Sequence, residues 1–77
     1  MTALHYDLPQ RSHVRLVIYD LHGRKVSTLA DARVGPGYRR VTWNGRNEAG
    51  RKLPTGIYIA RMVTPAYTKS IKMVLLK

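Results

Sequence analysis

Cysteine is absent from the 77 residues. That excludes a disulfide framework and a thiolate metal site. It leaves the compartment open, because export without oxidative folding fits it as well as the cytosol does. Acidic residues are scarce: Asp7, Asp20, Asp31 and Glu48 are the only four. No pattern places two of them as a catalytic carboxylate pair. Long apolar runs are missing too. Leu16-Val17-Ile18 is typical, far short of the roughly twenty residues of a membrane helix, so no transmembrane segment is expected. The stretch Met1–Tyr6 has neither the basic nor the apolar region of a signal peptide, which places any export signal elsewhere in a longer parent. There is no Gly-rich phosphate loop ahead of a helix, and no nucleophile motif surrounds Ser12, Ser27 or Ser70. These absences argue against an enzyme and against a cofactor.

Positive charge is what the chain has in excess. Fourteen Lys and Arg against the four acids give a formal charge of +10. Such a surface attracts polyanions of any kind: nucleic acid, anionic polysaccharide, lipid head groups or an acidic protein. Non-specific polyanion binding is therefore expected. The doublets Arg24-Lys25, Arg39-Arg40 and Arg51-Lys52 lie in or beside turns, while Arg15, Arg61, Lys69, Lys72 and Lys77 fall on strands, where lysines also blunt sheet edges. Tyr19, Tyr38 and Tyr67 interleave with these cations, yet no recognition motif frames them, so specific nucleic-acid readout is not expected.

Period-two alternation and breakers set out the strands. Leu4, Tyr6 and Leu8 share one face of 3–8, and Pro9 ends that strand. Val14, Leu16 and Ile18 share one face of 13–20, which runs into the turn Asp20-Leu21-His22-Gly23. A shorter strand follows at 24–30. Gly35-Pro36-Gly37 breaks the chain before 38–44, which carries Val41 and Trp43. Strands 57–63 and 67–76 complete six, with a short seventh near Arg51–Leu53. Turn signals about every ten residues indicate an antiparallel sandwich or barrel. The inward phase supplies a core of Leu4, Tyr6, Leu8, Val14, Leu16, Ile18, Val26, Leu29, Val41, Trp43, Leu53, Tyr58, Met62, Ile71, Met73 and Leu75. Residues 1–77 form one domain. Trp43, in phase with Val41, is an anchor between sheets, and Tyr58 has the position of a tyrosine corner. His5, His13 and His22 are too scattered to converge on a metal. The loop Asn44–Gly50 offers one carboxylate, Glu48, between Arg46 and Arg51, which does not suit calcium.

Taken in order, Leu8-Pro9, Ile18-Tyr19-Asp20, Gly23-Arg24-Lys25-Val26, Pro36-Gly37-Tyr38, Val41-Thr42-Trp43-Asn44-Gly45, Asn47-Glu48-Ala49-Gly50, Leu53-Pro54-Thr55-Gly56-Ile57-Tyr58 and Lys72-Met73-Val74-Leu75-Leu76-Lys77 form a familiar series. The chain resembles the type A C-terminal sorting domain of type IX secretion and the related immunoglobulin-like domain of the flagellar hook-capping protein. The resemblance implies an all-β, Ig-like antiparallel β-sandwich of about seven strands, at the C-terminal end of a larger exported protein. It implies a non-catalytic sorting module, reaching the outer surface or medium via the periplasm, with the secretion machinery and an N-terminal cargo domain as partners. Its recurrent motifs fall on the turn Pro54, Thr55, Gly56 and Tyr58 and on a terminal strand whose recognition residues would be Lys69, Lys72, Val74, Leu76 and Lys77. One departure is the Asn-Pro-rich segment that family members carry before the first strand: Met1 stands where it would end.

Other readings stay open beside sorting. One is an accessory Ig-like spacer or anionic-polymer-binding module; another is a homo-oligomer that pairs through exposed strands. Several strands are apolar on both faces: Val17 and Tyr19 oppose Leu16 and Ile18, Ile57 and Ile59 oppose Tyr58, and Val74 and Leu76 oppose Met73 and Leu75. A second apolar face calls for cover from other chain, another copy or a partner.

Overall fold

The computed structural model describes residues 2–76. Six strands follow one another: β1 (Thr2–Leu8), β2 (Ser12–Tyr19), β3 (Lys25–Val34), β4 (Gly37–Trp43), β5 (Gly56–Val63) and β6 (Thr68–Leu75). They form a two-stranded sheet, β1-β4, and a four-stranded sheet in the order β3-β2-β5-β6. Every pairing is antiparallel. No helix occurs among the described residues. This is the all-β Ig-like sandwich expected, with six strands rather than about seven. The segment near Arg51–Leu53 makes only an isolated bridge, Arg46 to Lys52. It turns back on itself through Asn47 N–H to Arg51 O at 2.9 Å and Leu53 N–H to Gly45 O at 3.0 Å. So short a hairpin spends most of its hydrogen bonds internally and touches the four-stranded sheet through one bond, Glu48 N–H to Val26 O of β3 at 3.1 Å.

The core lies between the sheets. Leu4 and Leu8 from β1 and Trp43 from β4 meet Val14, Leu16 and Ile18 from β2, Tyr58, Ala60 and Met62 from β5, and Met73 and Leu75 from β6. Tyr6, Val26, Leu29, Val41 and Leu53 pack against this cluster while half-buried. Trp43 is 1% exposed. Its ring stands edge-on to Tyr58, with centroids 5.3 Å apart and planes at 68°, a favoured aromatic geometry. Its Nε1–H donates to Arg46 O at 3.0 Å, so the one polar atom of the ring is satisfied inside the core.

Three expectations need correction. β3 is not a short strand ending near Ala30; it continues to Val34. Its pairing with β2 shifts register twice, between Leu16 and Val17 and between Ile18 and Tyr19. Each shift leaves one β3 residue, Leu29 or Val26, without a cross-strand partner. Val26 and Leu29 are three apart, which strict alternation would send to opposite faces. The bulges let both reach the core. Val17, on the outer phase, is nonetheless buried at 3% and stands outside the central cluster. It sits on a middle strand, flanked by Thr28 of β3 and Arg61 of β5. Ile71, expected inside, is 36% exposed although in phase with Met73 and Leu75. β6 is an edge strand of the four-stranded sheet, and Ile71 borders a small apolar gap that opens between β6 and β1.

Candidate interaction surface

Strand alternation decides which side chains of the four-stranded sheet face away from the sandwich. Because Val14, Leu16, Ile18, Tyr58, Ala60, Met62, Met73 and Leu75 point inward, the residues between them point out. In register, Arg15 lies beside Val63, and Val63 beside Thr68; Val17 beside Arg61, and Arg61 beside Ser70. Tyr19 lies beside Ile59, Ile59 beside Lys72, and Ile57 beside Val74. The outer face is thus a mixture of aliphatic side chains and cations. Val74 is 55% and Leu76 77% exposed, and Ile57 and Val63 are also accessible.

The structure brings together some of the recognition residues expected on the terminal strand and separates others. Lys72 and Val74 share the outer face, and exposed Leu76 follows them. Lys69 takes the opposite phase. It pairs with Met62 and lines a small apolar gap between β1 and β6 with Leu4, Tyr6 and Ile71. Lys77 lies outside the described residues. The turn Pro54-Thr55-Gly56 adjoins the terminal strand: Gly56 pairs with Leu75 and Ile57 with Val74. The Tyr58 hydroxyl donates to Pro54 O at 2.8 Å, pinning the turn to the buried ring. At the other end of that hairpin, Thr64 N–H donates to Tyr67 O at 2.9 Å, and its Oγ1 accepts from Tyr67 N–H at 3.1 Å. Thr64 is nearly buried. Sequence reading passed over Thr64, though Thr-Pro ahead of a strand is a turn signal.

Charge is locally organised at the β2–β3 turn. Asp20 Oδ1 accepts from the N–H groups of His22 at 2.8 Å and Arg24 at 3.0 Å, and Oδ2 accepts from Arg24 Nε at 2.9 Å. Partial desolvation pulls the Asp20 pKa up, but the Arg24 and His22 N–H bonds and the Arg24 guanidinium outweigh it and hold the carboxyl below the usual aspartate range. A depressed folded pKa means that the contribution is complete above the ordinary aspartate value and is lost as pH falls through the folded one. Melting temperature should therefore fall on acidification below that ordinary value. The decline should be shallower in Asp20→Ala, which should also melt lower at neutral pH. An identical acid limb in both proteins would show that this carboxylate does not carry it.

The remaining charged groups make few bonds. His13 Nε2 lies 2.6 Å from Asp31 Oδ1, and Lys25 Nζ lies 3.7 Å from Glu48 Oε1, both across exposed surface. Among the described residues no three His, Asp or Glu side chains gather at a metal-sized site. The outer face offers exposed aliphatic side chains and cations for contact.

The family model described as the FlgD Ig-like domain matches residues 2–66 of the chain. Among solved structures, the crystal structure of FLGD from P. aeruginosa is similar, with a TM-score of 0.68 and 24% identity, covering 95% of this chain and 58% of that one. Likeness at that identity bears on the fold, and the chain spans only a little over half of that protein. No curated protein matches the chain. The hook-capping half of the resemblance is thereby supported; the sorting half has no comparable support. With residues 2–66 matched and the sandwich shared, the chain belongs to the FlgD Ig-like domain family.

Proposed function

We propose that this chain is a non-catalytic accessory Ig-like module that works by surface contact within a larger exported or surface-associated assembly. The family to which it belongs and the Ig-like fold support a structural role. The observation that carries the reading is the outer face of the four-stranded sheet, where Ile57, Val63 and Val74 stand exposed beside Arg61 and Lys72. An apolar face that a small domain leaves uncovered is characteristic of an interaction surface. Binding of an anionic polymer is a variant of the same role, since the cations would serve it equally.

Sorting is a second reading, and one observation favours it. The Pro54–Tyr58 turn and the terminal strand, which carry the motifs of the sorting resemblance, are adjacent in register. The two readings part in a cell. Fused to the C-terminus of a reporter in a host with type IX export, the accessory module is expected to leave the reporter inside. Export that requires the fused domain would overturn the accessory reading and establish sorting.

A further inference from the structure

The outer face has a pattern that no single strand shows. Four of its outward cations, one on each strand, are displaced by one row at each step; a fifth, Lys25 of β3, lies off this line beside Tyr19, with its Nζ 3.7 Å from Glu48 Oε1. Arg33 on β3 pairs with His13 of β2; two residues further along β2 stands Arg15; Val17, two residues further again, pairs with Arg61 of β5; and Tyr19 pairs with Ile59, whose other neighbour is Lys72 of β6. Arg33, Arg15, Arg61 and Lys72 therefore form a diagonal across the whole sheet. Strands lie about 4.8 Å apart and alternate residues about 6.7 Å apart, so each step is about 8 Å and the line about 25 Å long. All four are exposed. Among the described residues none of them is in an ion pair. The carboxylate that could neutralise Arg15, its cross-strand neighbour Asp31, is bonded to His13.

We propose that this diagonal is the docking line for an acidic segment of a partner protein, lying across the outer face of the four-stranded sheet. The proposal rests on the accessory reading and gives its partner a chemistry. Charge complementarity is the first reason. Four unpaired cations spaced at about the Debye length reinforce one another's field, and an opposed row of carboxylates relieves their mutual repulsion. The second reason is what lies between them. Two of the cations have an accessible aliphatic cross-strand neighbour, Val63 for Arg15 and Ile59 for Lys72, while Val17 beside Arg61 is buried. A polypeptide supplies carboxylates and apolar side chains together. Extended, it repeats its side chains on one face about every 6.7 Å, close to the step of the diagonal. A single nucleic-acid strand would call for a series of stacking aromatics, and this face carries only Tyr19 along the line.

The test uses a fluorescein-labelled 12-residue peptide of mixed glutamate and leucine, with heparin and a thymidine 12-mer as competitors. One triple variant, Arg15→Gln, Arg61→Gln, Lys72→Gln, removes three steps of the diagonal. A second, Arg40→Gln, Arg51→Gln, Lys52→Gln, removes the same charge from exposed positions elsewhere. Affinity for the peptide should fall about ten-fold or more in the first and no more than about three-fold in the second. Equal losses would overturn the proposal, because net charge alone would then explain binding. Stronger, diagonal-dependent binding of heparin or the oligonucleotide would also overturn it, in favour of a polyanion site. Trp43 fluorescence reports whether each variant is folded. Should the first triple unfold, the single variant Arg61→Glu at the middle of the line carries the same expectation of loss. The reporter assay tests the module in a cell and this titration tests one face in solution, so either can fail while the other stands.

Discussion

Trp43→Ala is expected to lower stability by about 3–5 kcal/mol, the range for emptying a buried aromatic site. A domain of this length holds roughly 4–12 kcal/mol in total, so the variant should be close to unfolded at room temperature, or melt about 12 °C or more below the parent. The size follows from three losses at one position. The largest side chain of the core is 1% exposed and bridges the two-stranded sheet to β5. Its edge contact with the Tyr58 ring disappears. The donor to Arg46 O disappears as well, and with it one of the bonds that close the β4–β5 loop over the core. Trp43→Phe separates these contributions. It restores part of the apolar mass and an aromatic partner for Tyr58, but leaves Arg46 O without its donor, and should fall between the parent and the alanine variant. Thermal melts followed by the far-ultraviolet β signal make the comparison without relying on tryptophan emission. A Trp43→Ala midpoint within a few degrees of the parent would mean that the indole does not hold the sheets together.

That burial was legible in the sequence, because Val41 and Trp43 keep the same phase on a short strand and the residue types leave little choice. The same logic placed Leu4, Leu8, Val14, Leu16, Ile18, Met62, Met73 and Leu75 inside. It failed where tertiary geometry overrides period two. Nothing local marks the bulges that send both Val26 and Leu29 inward, since a bulge is settled by the register against β2. Nor does alternation say that β6 is an edge strand with a gap between it and β1, where Ile71 stays partly exposed. The cation diagonal was hidden for a related reason. Arg33, Arg15, Arg61 and Lys72 are far apart in the chain, and only the sheet order and three registers put them on one line. Arg33 was also outside the strand expected there, because the alternation of β3 becomes irregular at its bulges. Lys69 and Lys72 illustrate the reverse: they look equivalent in a basic terminal strand, yet an odd separation places them on opposite phases.

Gly45 is the second position where one small change should have a large effect. It has φ +75°, in the left-handed region, and it is buried. A Cβ there would stand 3.0 Å from Leu75 Cδ1 and 3.4 Å from Cδ2. Gly45→Ala should therefore incur about 1–2 kcal/mol for the backbone conformation and about 1–3 kcal/mol for overpacking against a core side chain, together about 2–5 kcal/mol. Gly50 supplies the control: it has φ +82°, but a Cβ there meets nothing within 4 Å. Gly50→Ala should show the backbone contribution alone, and the difference between the two variants measures the contact with Leu75. Trimming the obstacle gives a further check. In Gly45→Ala combined with Leu75→Val, the penalties should add to less than their sum, because the second change makes room for the first. Strict additivity, or equal costs at Gly45 and Gly50, would show that Leu75 yields freely. The contact also bears on the outer face. Leu75 is paired with Gly56 and is flanked in the chain by Val74 and Leu76, so displacing its side chain disturbs the end of β6 that presents them. Gly45→Ala should accordingly increase amide exchange at Val74 and Leu76 more than Gly50→Ala does, even at temperatures where both variants remain folded.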